Sequence, residues 1–221
     1  MLLREHHAVL YTCEALESRG YRLTVLPVDK YGMVSPSQLG KAISDETVLV
    51  SIMHANNEVG TVQPIRELAV IAHERGALFH TDAVQAVGHV EIDVKKQNID
   101  LLSLSAHKFH GPKGIGALYI RKGILLSNLL EGGAQERGKR AGTENTASVV
   151  AAAVALEEAL TDLDEKNKRV AAMRDRLIDG LLKIDVKMLS KDSLSESLLF
   201  VLIGIIILQL LFTCSAFSTN L

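Results

Sequence analysis

A lysine and an aspartate that follow two apolar stretches are the residues best placed to do chemistry. Lys108 follows the run 99–104, and Asp82 follows the run 77–81. Desolvation favours the neutral amine of a lysine, which is nucleophilic and forms an imine with a carbonyl compound. A nearby carboxylate can hold a positive charge, such as that of a pyridinium ring. A surface lysine and a strand-end cap are the commoner explanations of each residue alone, but their joint placement favours the chemical one.

The elements that must position these residues alternate between strands and helices. The predicted strands are 21–28, 48–53, 77–81, 99–104 and 117–121. The predicted helices are 6–18, one that opens with a hydroxyl cap at Ser35 and Pro36 as its first residue, 64–75, and 143–184 with a break near 162–167. This alternation predicts an α/β fold with a mostly parallel sheet flanked by helices. Ligand-binding groups of such sheets collect at the carboxyl ends of the strands. We therefore expect Asn57, Asp82, Gln85 and Lys108 to lie at one edge.

Composition excludes several classes of function. The 221 residues include 24 Lys and Arg against 26 Asp and Glu, a net charge of -2 that gives no basic field for nucleic acid. The two cysteines, Cys13 and Cys214, are far apart and form neither a disulfide framework nor a CxxC motif. The histidines lack the spacing of a metal set such as HExxH, so no metal site is predicted. The first residues lack the pattern of a signal peptide, and we expect a cytoplasmic protein.

Five sequence blocks in a specific order resemble those of NifS-like cysteine desulfurases, which belong to the class V aminotransferases. The blocks are Glu5–Val9, His54–Gly60, His80–Gln85, Ser105–Gly116 and Gly132–Asn145. The resemblance covers about Arg4 to Ile184 and implies part of the large domain of a fold-type I pyridoxal phosphate enzyme, over residues 1–184. It also implies the family activity, which takes sulfur from L-cysteine, leaves alanine and forms an enzyme-bound persulfide. Iron–sulfur cluster assembly or another sulfur-transfer pathway would use that sulfur.

The resemblance also implies roles for single residues. Lys108 resembles the lysine that carries the cofactor and moves protons, Asp82 the partner of the pyridine nitrogen, and His6 the imidazole that stacks on the ring and assists proton transfer. The other implied cofactor contacts are Asn57 and Gln85 near the phenolic oxygen, Ser105 and His107 on the phosphate side, and Thr143 at the phosphate of a neighbouring subunit. A homodimer with a shared active site is therefore expected, together with a sulfur-acceptor or scaffold protein as partner.

The last part of the sequence, 185–221, is an apolar tail without family resemblance. Residues 198–217 carry no charged side chain. The length of this stretch is close to the ~20 apolar residues that a bilayer crossing needs. One interpretation is a transmembrane anchor, and the other, which we prefer, is truncated or out-of-frame coding sequence. The family's phosphate loop and cysteine-bearing loop then fall outside this sequence, and we expect an incomplete, catalytically impaired chain. The alternatives are a selenocysteine lyase-like enzyme and a non-catalytic, membrane-tethered dimerisation partner.

Overall fold

Helices and strands alternate along the chain, in line with the sequence. The computed structural model describes residues 5–183. Its elements are α1 (His7–Glu17), α2 (Pro36–Ala42), β1 (Leu49–Ser51), α3 (Ile65–Glu74), β2 (Leu78–Asp82), β3 (Leu101–Ser105), a 3-10 helix (Ala106–Phe109), β4 (Gly116–Ile120), α4 (Gln135–Gly138), α5 (Thr146–Leu160) and α6 (Leu163–Leu182). The chain divides into two units between Leu160 and Thr161. The first unit contains the sheet, and α6 belongs to the second.

The four strands form one sheet in the order β1-β2-β3-β4. β1, β2 and β3 are parallel, and β4 pairs with β3 in the antiparallel direction. The predicted α/β class with a mostly parallel sheet is confirmed. Because the three parallel strands share one direction, their carboxyl ends meet at the same edge of the sheet, where the polar residues of interest follow them.

Helix α3 covers one face of the sheet and builds the main core. Ile65, Leu68, Ala69 and Ala72 recur at helical spacing and are all buried. They belong to the same buried cluster as strand residues that alternate toward this face, namely Val50, Phe79 and Leu102. The helix ends at Glu74, with Arg75 as the C-cap. The next residue, Gly76, adopts a left-handed conformation (φ +73°), and its N–H donates to the carbonyl of His73. This core fixes the backbone of β1 and β2, and with it the start of the loops beyond them.

Two local predictions were wrong. Segment 21–28 forms no strand within the described chain and shows only an isolated bridge at Leu26. A β-branched composition favours an extended backbone, but a strand also needs a paired neighbour, which local sequence does not supply. Ser35 stands at the N-cap of α2 as expected, with Pro36 as the first helical residue, but its hydroxyl makes no capping hydrogen bond.

The predicted long helix is interrupted close to the expected place. α5 ends at Leu160 and α6 begins at Leu163, with Asp162 in a left-handed conformation between them. α6 carries Asp164 and Glu165 in its first turn, where negative charge stabilises the helix dipole. Among residues 5–183, no helix combines the length and the apolar character that a bilayer crossing requires. The predicted segment 198–217 lies outside the described residues.

Candidate functional site

Asp82 ends β2 with its carboxylate buried and oriented. The residue is 4% exposed, and its Oδ1 accepts a hydrogen bond from the N–H of Val84 at 3.0 Å. Its own carbonyl accepts from the N–H of His54 at 2.8 Å, and its partner in the register with β3 is Ser103. A buried carboxylate costs free energy unless it is paired or hydrogen-bonded, so this site is suited to a cationic partner.

Lys108 lies in the 3-10 helix that directly follows β3. Its neighbours Ala106 and Phe109 are buried and anchor the turn, while Lys108 itself is half-buried. The turn closes through His110, which has a left-handed φ of 67°, and through a 2.8 Å hydrogen bond from the N–H of Gly111 to the carbonyl of Ala106. The lysine therefore projects from a fixed backbone at the same edge as Asp82.

The turn after Asp82 packs on the turn that carries Lys108. His89 contacts the carbonyl of Lys108 through its Nε2 at 2.9 Å. Gly88 lies so close to Phe109 that an added Cβ would stand 2.8 Å from the Cβ of that side chain. The sequence interpretation missed both contacts. Gly88 itself is the one sequence signal that could have indicated this close approach of two turns.

Gln85 lies in the same turn and keeps a hydrogen-bonding atom unused. The residue is half-buried, and its Oε1 is enclosed without a hydrogen-bond partner among the described residues. Unsatisfied buried polar atoms are uncommon in folded proteins, because each costs free energy. A ligand that bonds the Gln85 amide would remove that cost, which supports a binding role at this position.

The remaining residues near this edge are fixed by local contacts. The hydroxyl of Ser105 is 2.9 Å from Nδ1 of His107, so the two predicted phosphate-side residues contact each other. Asn57 is half-buried in the turn after β1. The neighbouring Asn56 orders that turn, because its Oδ1 accepts from the N–H groups of Glu58 and Val59, both at 2.9 Å.

His6 is an exposed residue at the N-cap of α1. Its Nδ1 accepts a hydrogen bond from the N–H of Ala8 at 3.1 Å. The preceding residue, Glu5, is buried, and its Oε1 accepts from the N–H of Met53 at 2.7 Å, just beyond β1. This contact ties the start of α1 to the carboxyl end of the sheet. Glu5 was missed as a site-supporting residue, although it lies in the first resemblance block beside His6.

Thr143 is exposed in the loop before α5. That loop closes on itself, with the N–H of Gly142 donating to Oε1 of Gln135 at 3.1 Å. No hydrogen bond in residues 5–183 joins Thr143 to Asp82 or Lys108. Its expected contact with a neighbouring subunit stays a prediction.

Two histidines lie close to the site: His54 is buried and His80 is half-buried. His54 is 1% exposed, and burial lowers its pKa from 6.5 to about 4. Burial also lowers the pKa of His80, an effect that the nearby charge of Asp82 opposes. Both rings are therefore neutral at pH 7. Over the described part of the chain, no group of three or more His, Cys, Asp or Glu residues is arranged to hold a metal ion.

The residues at this edge fit pyridoxal phosphate, the cofactor that the resemblance implies. Asp82 supplies a buried carboxylate for a protonated ring nitrogen, and Lys108 supplies a half-buried amine for the aldehyde. The Gln85 amide has an enclosed atom with no protein partner, and rotation of the amide presents either a donor or an acceptor to a ligand. Charge, nucleophile and hydrogen-bonding group are thus provided by neighbouring turns.

Comparisons with known proteins agree with this assignment. A cysteine desulfurase IscS from Methanosarcina thermophila is 63% identical over 180 residues, which cover 81% of this chain and 45% of that protein. A solved structure described as a NifS-like protein superposes with a TM-score of 0.79 at 45% identity, covering 81% of this chain and 50% of the other. A solved structure of SspA in complex with cysteine gives 0.68 at 48% identity, over 70% and 45% of the two chains.

These matches confirm the predicted resemblance and the fold-type I large domain. They do not favour the alternatives of a selenocysteine lyase or a non-catalytic partner. The chain spans about half the length of the relatives that it matches. The family model for class-V aminotransferases, whose members use pyridoxal phosphate, matches residues 2–205. The chain belongs to the class-V aminotransferase family.

Proposed function

We propose that this chain is the cofactor-binding part of a pyridoxal phosphate-dependent cysteine desulfurase. The observation that carries the proposal is the joint placement of Asp82, Gln85 and Lys108 at one edge of the sheet, in two turns that pack on each other. The substrate is L-cysteine, and the products are alanine and a protein-bound persulfide. The relatives named as cysteine desulfurases and the neighbour bound to cysteine support this choice of substrate.

When bound, pyridoxal phosphate withdraws electron density from the α carbon of the substrate. Asp82 keeps a proton on the ring nitrogen, because a buried carboxylate gains from a cationic partner. Lys108 Nζ would move protons between the α and β carbons of the substrate, and His6 would stack on the ring and assist that transfer. Gln85 orients the phenolic side of the ring.

The other predicted contacts complete the site. Asn57 shares the phenolic side with Gln85, and the hydrogen-bonded pair Ser105 and His107 binds the phosphate. Thr143 reaches the phosphate in a second copy of the chain, so the working form is a homodimer. A sulfur-acceptor or scaffold protein receives the persulfide sulfur, and the protein acts in the cytoplasm. The family domain occupies residues 1–184, with 185–221 as a separate apolar tail.

Trapping the cofactor tests the proposal directly. Borohydride reduction of the chain with pyridoxal phosphate, followed by peptide mapping, should label Lys108. Lys108→Arg should remove the label, and the control Lys113→Arg, an exposed lysine of the same loop, should keep it. L-cysteine should change the absorbance of the bound cofactor in a saturable manner. Label spread over surface lysines would refute the site, and a spectrum indifferent to L-cysteine would refute the substrate.

A further inference from the structure

The imidazole of His80 joins three strands of the sheet. Its Nδ1 is 2.8 Å from the hydroxyl of Ser51 on β1, and its Nε2 is 2.9 Å from the hydroxyl of Ser103 on β3. The register pairs Ser51 with His80 and Asp82 with Ser103. Because side chains two residues apart in a strand share a face, Asp82 lies on the same face of the sheet as His80, two residues closer to the carboxyl end of β2.

Both ring nitrogens of His80 have a hydrogen-bond partner, and Ser51, His80 and Ser103 therefore form a hydrogen-bonded row across the three strands. A neutral imidazole carries one N–H donor and one acceptor nitrogen, and each serine hydroxyl can take either role. Of the groups that face the ring, Ser51 on β1 and Ser103 on β3 are uncharged, and Asp82 on its own strand is ionisable. The row therefore satisfies His80 without adding a charge beside Asp82.

Ser103 is the member of this row that matters for Asp82. As the register partner of Asp82, it can direct its hydroxyl to that carboxylate by a change of rotamer. In the structure its hydroxyl instead contacts His80, and the carboxylate Oδ1 accepts from the N–H of Val84. A serine hydroxyl that donated to Oδ2 would take one of the two acceptor positions of that oxygen and weaken its hydrogen bond to a protonated ring nitrogen.

We propose that His80 is a positioning residue that holds the Ser103 hydroxyl away from Asp82 and so reserves the carboxylate for the cofactor. The inference rests on the proposed cofactor site and adds a residue to it. This role differs from that of a merely structural histidine, because the loss of His80 would affect cofactor binding through one identified group, the Ser103 hydroxyl.

A double-variant experiment tests this role. His80→Leu should weaken pyridoxal phosphate binding by about threefold to tenfold, the effect of one competing hydrogen bond. Ser103→Ala in the same chain should restore the affinity, since the competing hydroxyl is gone. His73→Leu is the control: it removes a histidine that bonds Asp100 at the opposite end of the sheet, and it should leave cofactor affinity unchanged.

Two results would overturn the inference: unchanged affinity in His80→Leu, or a loss that Ser103→Ala does not reverse. A measurement on the chain without cofactor tests the His80–Ser103 contact even if the proposed cofactor site is wrong. Nitrogen-15 spectra of His80 should show one protonated and one accepting nitrogen, and Ser103→Ala should shift the Nε2 signal alone. Rapid exchange between tautomers, or no response to Ser103→Ala, would also overturn it.

Discussion

Replacement of Gly88 by alanine should displace the turn that carries Lys108. Gly88 has a φ of +82°, a conformation that residues with a Cβ rarely adopt. An added Cβ would lie 2.8 Å from the Cβ of Phe109 and 3.2 Å from that of Ala159. Phe109 is 1% exposed and adjacent to Lys108, so it has no room to retreat without moving the lysine.

The expected loss has two separable parts. The left-handed backbone costs a residue with a Cβ about 1–2 kcal/mol, and overpacking of a filled core costs about 1–3 kcal/mol. Gly88→Ala should therefore lower the free energy of unfolding by about 2–5 kcal/mol. Gly76→Ala is the matched control, because Gly76 has a φ of +73° with no heavy atom within 4 Å of the added Cβ. It should show the backbone part alone.

Urea unfolding followed by circular dichroism measures both variants, since the chain has no tryptophan to report unfolding by fluorescence. Cofactor affinity provides the second readout. Gly88→Ala should bind pyridoxal phosphate more weakly than the parent, and Gly76→Ala should bind it equally well. Equal losses of stability in the two variants, or unchanged affinity in Gly88→Ala, would refute the reasoning from the Phe109 contact.

Three further changes test other parts of the structure. Asp100→Ala should lower the free energy of unfolding in urea by about 1–3 kcal/mol, because the buried N–H of Phe79 loses its 2.8 Å acceptor. Glu5→Ala should cost a similar ~1–3 kcal/mol through the N–H of Met53, while Glu5→Gln keeps an acceptor and should cost less in the same assay. Burial lowers the pKa of His54 from 6.5 to about 4, so the unfolded chain binds this proton more readily. The stability that this residue contributes is complete above pH 6.5 and should fall by roughly 3 kcal/mol as the pH drops toward 4. His54→Gln should remove that part of the acid dependence of the melting temperature.

The placement of the central site could be predicted because it depends on buried parallel strands. Short apolar runs locate β2 and β3, and the rule that ligands bind at carboxyl ends then places Asp82 and Lys108 together. The same approach gave a wrong strand at 21–28, because Leu26 is the only residue of this segment that forms a β-bridge in the described chain. Whether this segment forms a strand depends on residues far away in the sequence that could pair with it, and not on its own composition.

Contacts between distant residues could not be predicted from composition or spacing. His80 was assigned no role, because only the strand register shows that Ser51 and Ser103 lie on either side of its ring. Glu5 and Met53 are likewise far apart in sequence, and their contact depends on where α1 starts relative to β1. Sequence locates such residues on elements, but the pairing of those elements decides what each side chain contacts.

The reversal of direction between β3 and β4 bears on how the site assembles during folding. These strands are neighbours in both sequence and space, joined by the connection 106–115 that carries Lys108. Closing so short a loop costs little chain entropy, whereas β1 and β2, as well as β2 and β3, must be joined by longer crossovers. We therefore expect the lysine to take its place early, when β3 and β4 pair, and Asp82 to join it later, when the parallel strands pair.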